Sequence, residues 1–367
     1  MSEGYNEQDS FDVQLKGTYS LFGRDHEFVV GALDSSYETE TSNFSVLTFQ
    51  STTGNFFEWD GSYPEPTFSP TGFVASQSTT DQEGYYAATR LSITDDLKVI
   101  AGGRVSSWHQ DGFSWSGTQS YGNDDVLVPY AGLTYTITEN HNVYTSFTEI
   151  FKPQNFRGAD AKFLDPVEGV NLEVGLKSSF FDGSLQTAVA IFEIQQDNVA
   201  QVAGQFPPVD GGLPENFYRG AQGVESKGFE LEAVGYVTPN WNVSVGYAQF
   251  KAEDADGVEV NTDSPRKKLN LFTTYEFADA LDGLVVGGGL TWESERSGSG
   301  GDNLPALVQD AYTLASLMVR YDLTDDLSVQ FNVDNLTDEH YYGQVGFYSE
   351  YTNAAPRNYT LGATYSF

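Results

Sequence analysis

Cysteine is absent from this sequence. Disulfides, thiol nucleophiles and thiolate metal sites are therefore excluded. Basic side chains are scarce: 18 Lys and Arg stand against 52 Asp and Glu, and the formal charge of −34 is spread along the chain. Such a surface repels phosphate backbones, which excludes nucleic acid as a partner, and it offers no polybasic membrane anchor. No apolar run approaches the ~18 residues that a membrane helix needs. The N-terminal stretch MSEGYNEQDSFDVQLKGTYSLFGRDHEFVV has no basic region followed by an apolar one, so no export signal is expected there.

What is abundant points to strands. Aromatics make up 14% of the residues, with 22 Tyr and 26 Phe, and Gly numbers 37. This composition favours strands and turns over helices. Apolar residues recur at every second position. In EGVNLEVGLKSSFFDG, Val170, Leu172, Val174, Leu176 and Phe180 alternate with Asn171, Glu173, Gly175, Lys177 and Ser179. The same alternation places Phe229 and Leu231 opposite Glu230 and Glu232, and Val329 and Phe331 opposite Gln330 and Asn332. No segment reads as an amphipathic helix. The C-terminus, PRNYTLGATYSF, keeps Tyr359, Leu361, Ala363, Tyr365 and Phe367 on one face to the last residue. A terminal strand so greasy must meet something other than water.

The connections alternate in length. Short turns are expected at FGRD, at Thr94–Asp96, Thr138–Asn140, Phe181–Gly183 and Thr238–Asn240, at ADALDG and at Thr324–Asp326. Long irregular segments are expected over Ser42–Gln82, Asp111–Asn123, Lys152–Gly169, Gln196–Glu225, Ala252–Pro265, Ser294–Gln309 and Thr337–Pro356. Short turns on one rim and long loops on the other, joined by strands of about ten residues, are the pattern of a transmembrane antiparallel β-barrel. The expectation is an all-β chain of about 15 strands, residues 1–367 forming one barrel domain. Bacterial single-chain barrels have even strand numbers, so an odd count without an export signal suggests the C-terminal part of something longer, or else a strand missed or merged near the N-terminus.

Several stretches resemble the barrel of TonB-dependent ferric-siderophore receptors: FTEIFKPQN, LDPVEGVNLEVGLKSSFFDGSLQTAVAIFEIQQDNVA, NVDNLTDEHYYGQVGFY and PRNYTLGATYSF. The resemblance runs from about Asp12 to Phe367. It implies a 22-stranded barrel closed by an N-terminal plug, in the outer membrane of a Gram-negative bacterium, importing a ferric siderophore. Iron is then cargo, and no resident cofactor or metal is implied. TonB would be engaged only through a plug and a TonB box, which this sequence does not contain, so the chain alone is expected not to transport.

On that reading, aromatic side chains at the outer mouth suit a large, partly apolar ligand. Trp108 shares parity with Lys98, Arg104 and Ser106 on the inward face, while Trp59 and Trp115 lie in loops. With Tyr341, Tyr342, Phe347 and Tyr348 of HYYGQVGFY they are the candidate ligand contacts. Trp241 and Trp292 fall on the outward face and read as girdle residues. Arg90, Arg104, Glu173, Lys177, Glu230, Glu232 and Arg320 line the expected lumen, as a hydrated network or as a surface facing a plug.

Other chemistry finds little support. EDADGVEVNTD lacks the ligand spacing of a calcium loop, and SGSGGDN precedes no helix that could make a phosphate loop. His26, His109, His141 and His340 are scattered, so no catalytic triad forms, and no enzymatic activity is expected. A passive porin-like or structural barrel is the main alternative, ahead of an outer-membrane hydrolase.

Overall fold

The structure, a computed structural model, describes residues 1–49, 54–114, 117–207, 215–298, 305–346 and 350–367. Strands hold 73% of the residues and helix 1%, so no helical layer is available to cover a sheet. Fifteen strands form one sheet in strict chain order. The first five are long: β1 Ser2–Leu21, β2 Arg24–Asn43, β3 Phe73–Ser92, β4 Leu97–Ser114 and β5 Gly117–Thr138. The middle five are β6 His141–Lys152, β7 Val167–Phe180, β8 Leu185–Asp197, β9 Val224–Thr238 and β10 Trp241–Glu253. The last five are β11 Lys267–Glu276, β12 Leu284–Glu293, β13 Tyr312–Asp322, β14 Leu327–Asp334 and β15 Asn358–Tyr365.

Every neighbouring pair is antiparallel. Short turns therefore gather on one rim and the other connections on the opposite rim. The tightest turn joins β1 to β2 through Phe22 and Gly23, both with positive φ, 52° and 75°. That is the geometry a two-residue hairpin needs to match strand twist. The outer connections carry four small ladders of their own, among them Val199–Phe206 with Glu215–Ala221. β1 and β15 are the edges of the sheet, and both run from the long-connection rim to the short-turn rim.

Three boundaries differ from the sequence expectation. Asp111–Asn123 is not irregular: β4 and β5 continue through it as a ladder, from His109↔Gly122 to Ser114↔Gly117. Polar residues on both faces hid this extension, because a strand's limits are read from alternation of hydrophobicity, which fades here. For the same reason β1 begins at Ser2, ahead of the point near Asp12 where the resemblance sets in, and β3 begins at Phe73, within the segment expected to be irregular.

The register separates two faces. On one, Leu231, Tyr247, Leu269 and Trp292 are successive Cα partners across four strands. Further along, Val319, Phe331 and Leu361 do the same. The opposite face carries Glu173, Lys177, Glu230, Glu232 and Arg320, and Arg320, Gln330, Asn332, Thr360 and Thr364 line one shared cavity there. On this polar face, tyrosines lie flat over glycines of the adjacent strand. A Cβ on Gly31 would come within 2.4 Å of Tyr86, and one on Gly175 within 2.4 Å of Tyr144.

Nothing packs on the apolar face. Among the described residues no large side chain is fully buried, while Phe11, Leu15 and Leu361 are 68%, 61% and 73% exposed. A water-soluble fold buries such a face against a second layer. A single layer with an apolar face this extensive requires a non-aqueous surrounding.

Candidate functional site

On the polar face, close to the long-connection rim, four side chains from three elements converge. The Trp108 ring on β4 lies 5.2 Å from that of Tyr121 on β5, tilted by 54°. Tyr121 lies 4.8 Å from Phe163, which belongs to the connection between β6 and β7. The Arg157 guanidinium sits 4.9 Å over the Phe163 ring and donates to the carbonyl of Thr118 at 2.9 Å. The Tyr121 hydroxyl donates to Gln110, and burial raises its pKa above the ordinary phenol value.

A bulge builds this cluster. Ser106 pairs with Val126, but the next pair on that face is Trp108 with Asn123, so β5 carries one residue more than β4. The extra residue lies at Asp124–Asp125, and Asp125 takes a positive φ of 50°. Its amide donates to the Ser107 hydroxyl at 3.1 Å. The bulge switches the parity of β5, turning Tyr121 onto the face of Trp108. Period-two reading from Val128 puts Tyr121 on the other face, which is why sequence reasoning missed it. The Asp–Asp dipeptide within the strand was the available signal.

The connection 153–166 is held firmly enough to present Phe163 and Arg157. Buried Gln154 donates to the carbonyls of Asp165 and, at 2.8 Å, Asn198. Tyr218 of the neighbouring small hairpin donates its amide to the Arg157 carbonyl at 2.8 Å and packs its ring 4.6 Å from Phe156.

The other expected contacts fall elsewhere. Tyr341 stacks on Tyr312 at 4.6 Å, and Tyr342 lies 4.2 Å from Tyr351. Arg296 donates to the Tyr342 carbonyl at 2.7 Å, and the Tyr342 amide donates to Gln309 at 2.7 Å. The Tyr312 hydroxyl in turn donates to buried Glu293 at 2.7 Å, which pairs with Lys268 at 2.7 Å. These tyrosines thus tie the last long connection to β12 and β13. No ring contact joins them to the Trp108 cluster among the described residues. Trp59 follows the single helical turn Phe56–Glu58 and donates its indole N–H to the Ser62 carbonyl. Trp115, Phe347 and Tyr348 lie outside the described residues.

The charged residues of the polar face have unequal partners. Arg90 reaches Glu27 at 3.5 Å and Arg320 reaches Asp322 at 2.8 Å. Glu173 accepts from the Tyr144 hydroxyl, over whose ring the Lys177 ammonium sits at 5.2 Å. Glu230 and Glu232 make no ion pair among the described residues. Arg104 stands apart: its Nε and Nη2 are buried without a hydrogen-bond partner.

A one-layer antiparallel meander, apolar outside and polar inside with an aromatic cluster at one rim, is the wall of a membrane β-barrel. Residues 2–336 match the family described as TonB dependent receptor-like, beta-barrel, and the chain belongs to that family. It is 35% identical to the ferric-pyoverdine BN7/BN8 receptor of Pseudomonas putida over 99% of its own length and 44% of the relative's. It is 34% identical to the ferripyoverdine receptor of Pseudomonas aeruginosa, over 99% and 45%. The crystal structure of the ferripyoverdine receptor of the Pseudomonas aeruginosa outer membrane, bound to ferripyoverdine, superposes with a TM-score of 0.88. That match has 33% identity and covers 100% of this chain and 49% of the other. The chain thus spans about half the length of the curated relatives it matches.

Proposed function

We propose that this chain forms two-thirds of the wall of an outer-membrane receptor that takes up a ferric siderophore of the pyoverdine type. The observation carrying the membrane part is the uncovered apolar face. The ligand part rests on the Trp108–Tyr121–Phe163–Arg157 cluster, which sits on the inner face at the long-connection rim, where a ligand arriving from outside first meets the wall. Aromatic rings supply rigid area for the organic shell of a ferric chelate. Arg157 supplies a cation for its anionic groups, and Trp59, Tyr341 and Tyr342 border the same rim. The inward charges Arg90, Glu173, Lys177, Glu230, Glu232 and Arg320 are the surface against which a plug would dock. Arg104, with two buried and unpartnered nitrogens, is the strongest single anchor for a plug carboxylate. Uptake itself would need that plug and its contact with TonB.

The test uses the receptor carrying this wall, titrated with ferric pyoverdine while following the quenching of tryptophan fluorescence by bound iron. Trp108→Ala should weaken binding by about tenfold or more, as expected of a well-packed aromatic anchor. Trp241→Ala, on the outward face, should leave it unchanged. Undiminished affinity in both Trp108→Ala and Tyr121→Ala would overturn the ligand assignment.

A further inference from the structure

The polar inner face is built in two ways. On β2–β7, long side chains cover its glycines. Tyr86, Tyr130, Tyr144 and the Arg104 guanidinium lie over Gly31, Gly102, Gly175 and Gly84, where a Cβ would come within 2.4 to 2.7 Å of them. On β10 and β15 the glycines Gly246 and Gly362 are bare, with nothing within 4 Å of an added Cβ. Three cavities follow one another down this barer side. The highest, about 460 Å³, lies over Gly246 between Glu232 and Asp334. The next, about 380 Å³, lies over Gly362 and is lined by Ser328, Gln330, Asn332, Thr360 and Thr364 beside Arg320. The lowest, about 610 Å³, shares Arg320, Ser328 and Thr364 with it and opens among Asp282, Asp325 and Asp326 at the short-turn rim.

The cavities form one groove. Asp334 of the upper cavity and Asn332 of the middle one are next neighbours on the inward face of β14. From Asp334 to Ser328 the strand runs about 20 Å, at roughly 3.3 Å per residue. The floor of the middle stretch needs two strands only, since Asn332, Gln330 and Ser328 are the Cα partners of Thr360, Gly362 and Thr364. Charge stands at the two ends and along one edge, where Arg320 is engaged by Asp322 at 2.8 Å. Between them lie hydroxyls, amides and bare backbone. Hydroxyls and amides both donate and accept. They can replace the hydration of a polar solute at successive points without holding it at any one, as conduction demands. The same short, neutral side chains give a plug little to grip, whereas the covered side offers broad rings and Arg104. A plug held chiefly by β2–β7 parts from the wall first along β13–β15.

We propose that the ferric siderophore descends along this groove, between the plug and the inner face of β13–β15, from the mouth to the short-turn rim. The proposal rests on the uptake reading above and adds the side of the barrel on which passage occurs. The test uses the full receptor in iron-starved cells given ferric pyoverdine that carries radioactive iron. Binding is read on chilled cells and uptake on warm ones. Gly362→Trp and Asn332→Trp should keep binding and lose most of the uptake, because an indole narrows the middle cavity. Gly362→Ala, with open space around its methyl, should take up iron normally. The chain has no cysteine, so a thiol introduced into it is its only label site. A membrane-impermeant thiol reagent should react faster at Gly362→Cys while iron is being taken up than in its absence. At Ser146→Cys, whose Cα partner Glu173 lies on the covered side, the rate should not change. If the unaltered receptor takes up no iron, the uptake reading fails. If it does and both Trp variants match it, only this proposal is overturned. Loss of binding together with uptake overturns it too, since the groove is then part of the seat of the plug. So does an equal rise in labelling at Ser146→Cys. Should the Trp variants fail to fold, a bulky thiol reagent attached to assembled Gly362→Cys decides, and undiminished uptake overturns the proposal.

Discussion

The first five strands are 18 to 22 residues long, whereas the last five are 8 to 11. The outward faces explain the difference. On β15 the outward residues Tyr359, Leu361, Ala363 and Tyr365 are apolar along the whole strand. On β1 and β2 the apolar run stops: Leu15, Val13 and Phe11 give way to Asp9 and Glu7, and Phe28, Val30 and Ala32 to Asp34, Ser36 and Glu38. β3 does the same, from Tyr85 to Glu83 and Asp81. The band that lipid can cover is about ten residues high on both sides. Everything above it on β1–β5 is a wall standing in water. That upper wall has no Lys or Arg from Ser2 to Asp12, Asp34 to Asn43 or Phe73 to Glu83. It also places like charges directly opposite each other, Glu7 against Glu38 and Asp34 against Glu83. Membrane height is therefore set by side-chain chemistry on one face, while strand length is free to vary above it.

The contrast can be broken most strongly within the lipid band. Phe331, stacked parallel to Tyr359 with ring centroids 6.3 Å apart, lies midway along β14. Phe331→Arg should cost about 2–4 kcal/mol in bilayer-refolded protein, measured by urea titration. The same substitution at Glu38 should cost nothing. Equal losses at both sites would show that the upper wall also meets lipid.

A smaller effect is expected where tyrosines cover glycines. Gly175→Val must displace the Tyr144 ring and should destabilise by about 1–3 kcal/mol, as overpacked sites do. Pairing it with Tyr144→Ala should recover part of the loss, since the collision is with that ring. A loss unchanged in the double variant would place the strain in the backbone instead.

Within the upper wall, Glu38→Lys turns a repulsive pair into an attractive one, for a gain of about 0.2–1 kcal/mol. Amide exchange over Ser2–Phe11 should slow, and the difference should shrink in high salt as the charges are screened. Faster exchange would contradict the paired register of β1 and β2.

The smallest effect concerns pH. Burial raises the Tyr121 phenol, so the neutral form is favoured in the folded mouth. Its contribution is fully present below the ordinary phenol value of about 10 and is lost as pH rises through the raised one. Alkaline titration followed by Trp108 fluorescence should show the mouth loosening there, and Tyr121→Phe should flatten that change.

The lipid band was legible because one face alternates with the other at period two over eight residues or more, as in β7 and β14. The turns were legible for the same reason, since they interrupt that alternation. Reading failed where the alternation fades: in the polar upper wall, where Asp111–Asn123 continues as strand, and at the β5 bulge, which inverts parity within two residues. The candidate site shows both outcomes. Trp108 was placed by counting from Arg104 along an unbroken strand. Tyr121, Phe163 and Arg157 reach it through a bulge and a folded connection, which are tertiary facts that spacing does not encode.

The two edges of the sheet, β1 and β15, point the same way. In a ring where every strand opposes both neighbours, directions must alternate without a fault all the way round. Fifteen strands that begin and end pointing down leave a gap that only an odd number can fill, starting and finishing upward. A second copy of this sheet in the same membrane orientation offers two more downward edges and so cannot serve. Nor can it be inverted, because its long connections would then face the wrong compartment. Any stretch of chain that pairs with both edges must therefore contribute an odd number of strands.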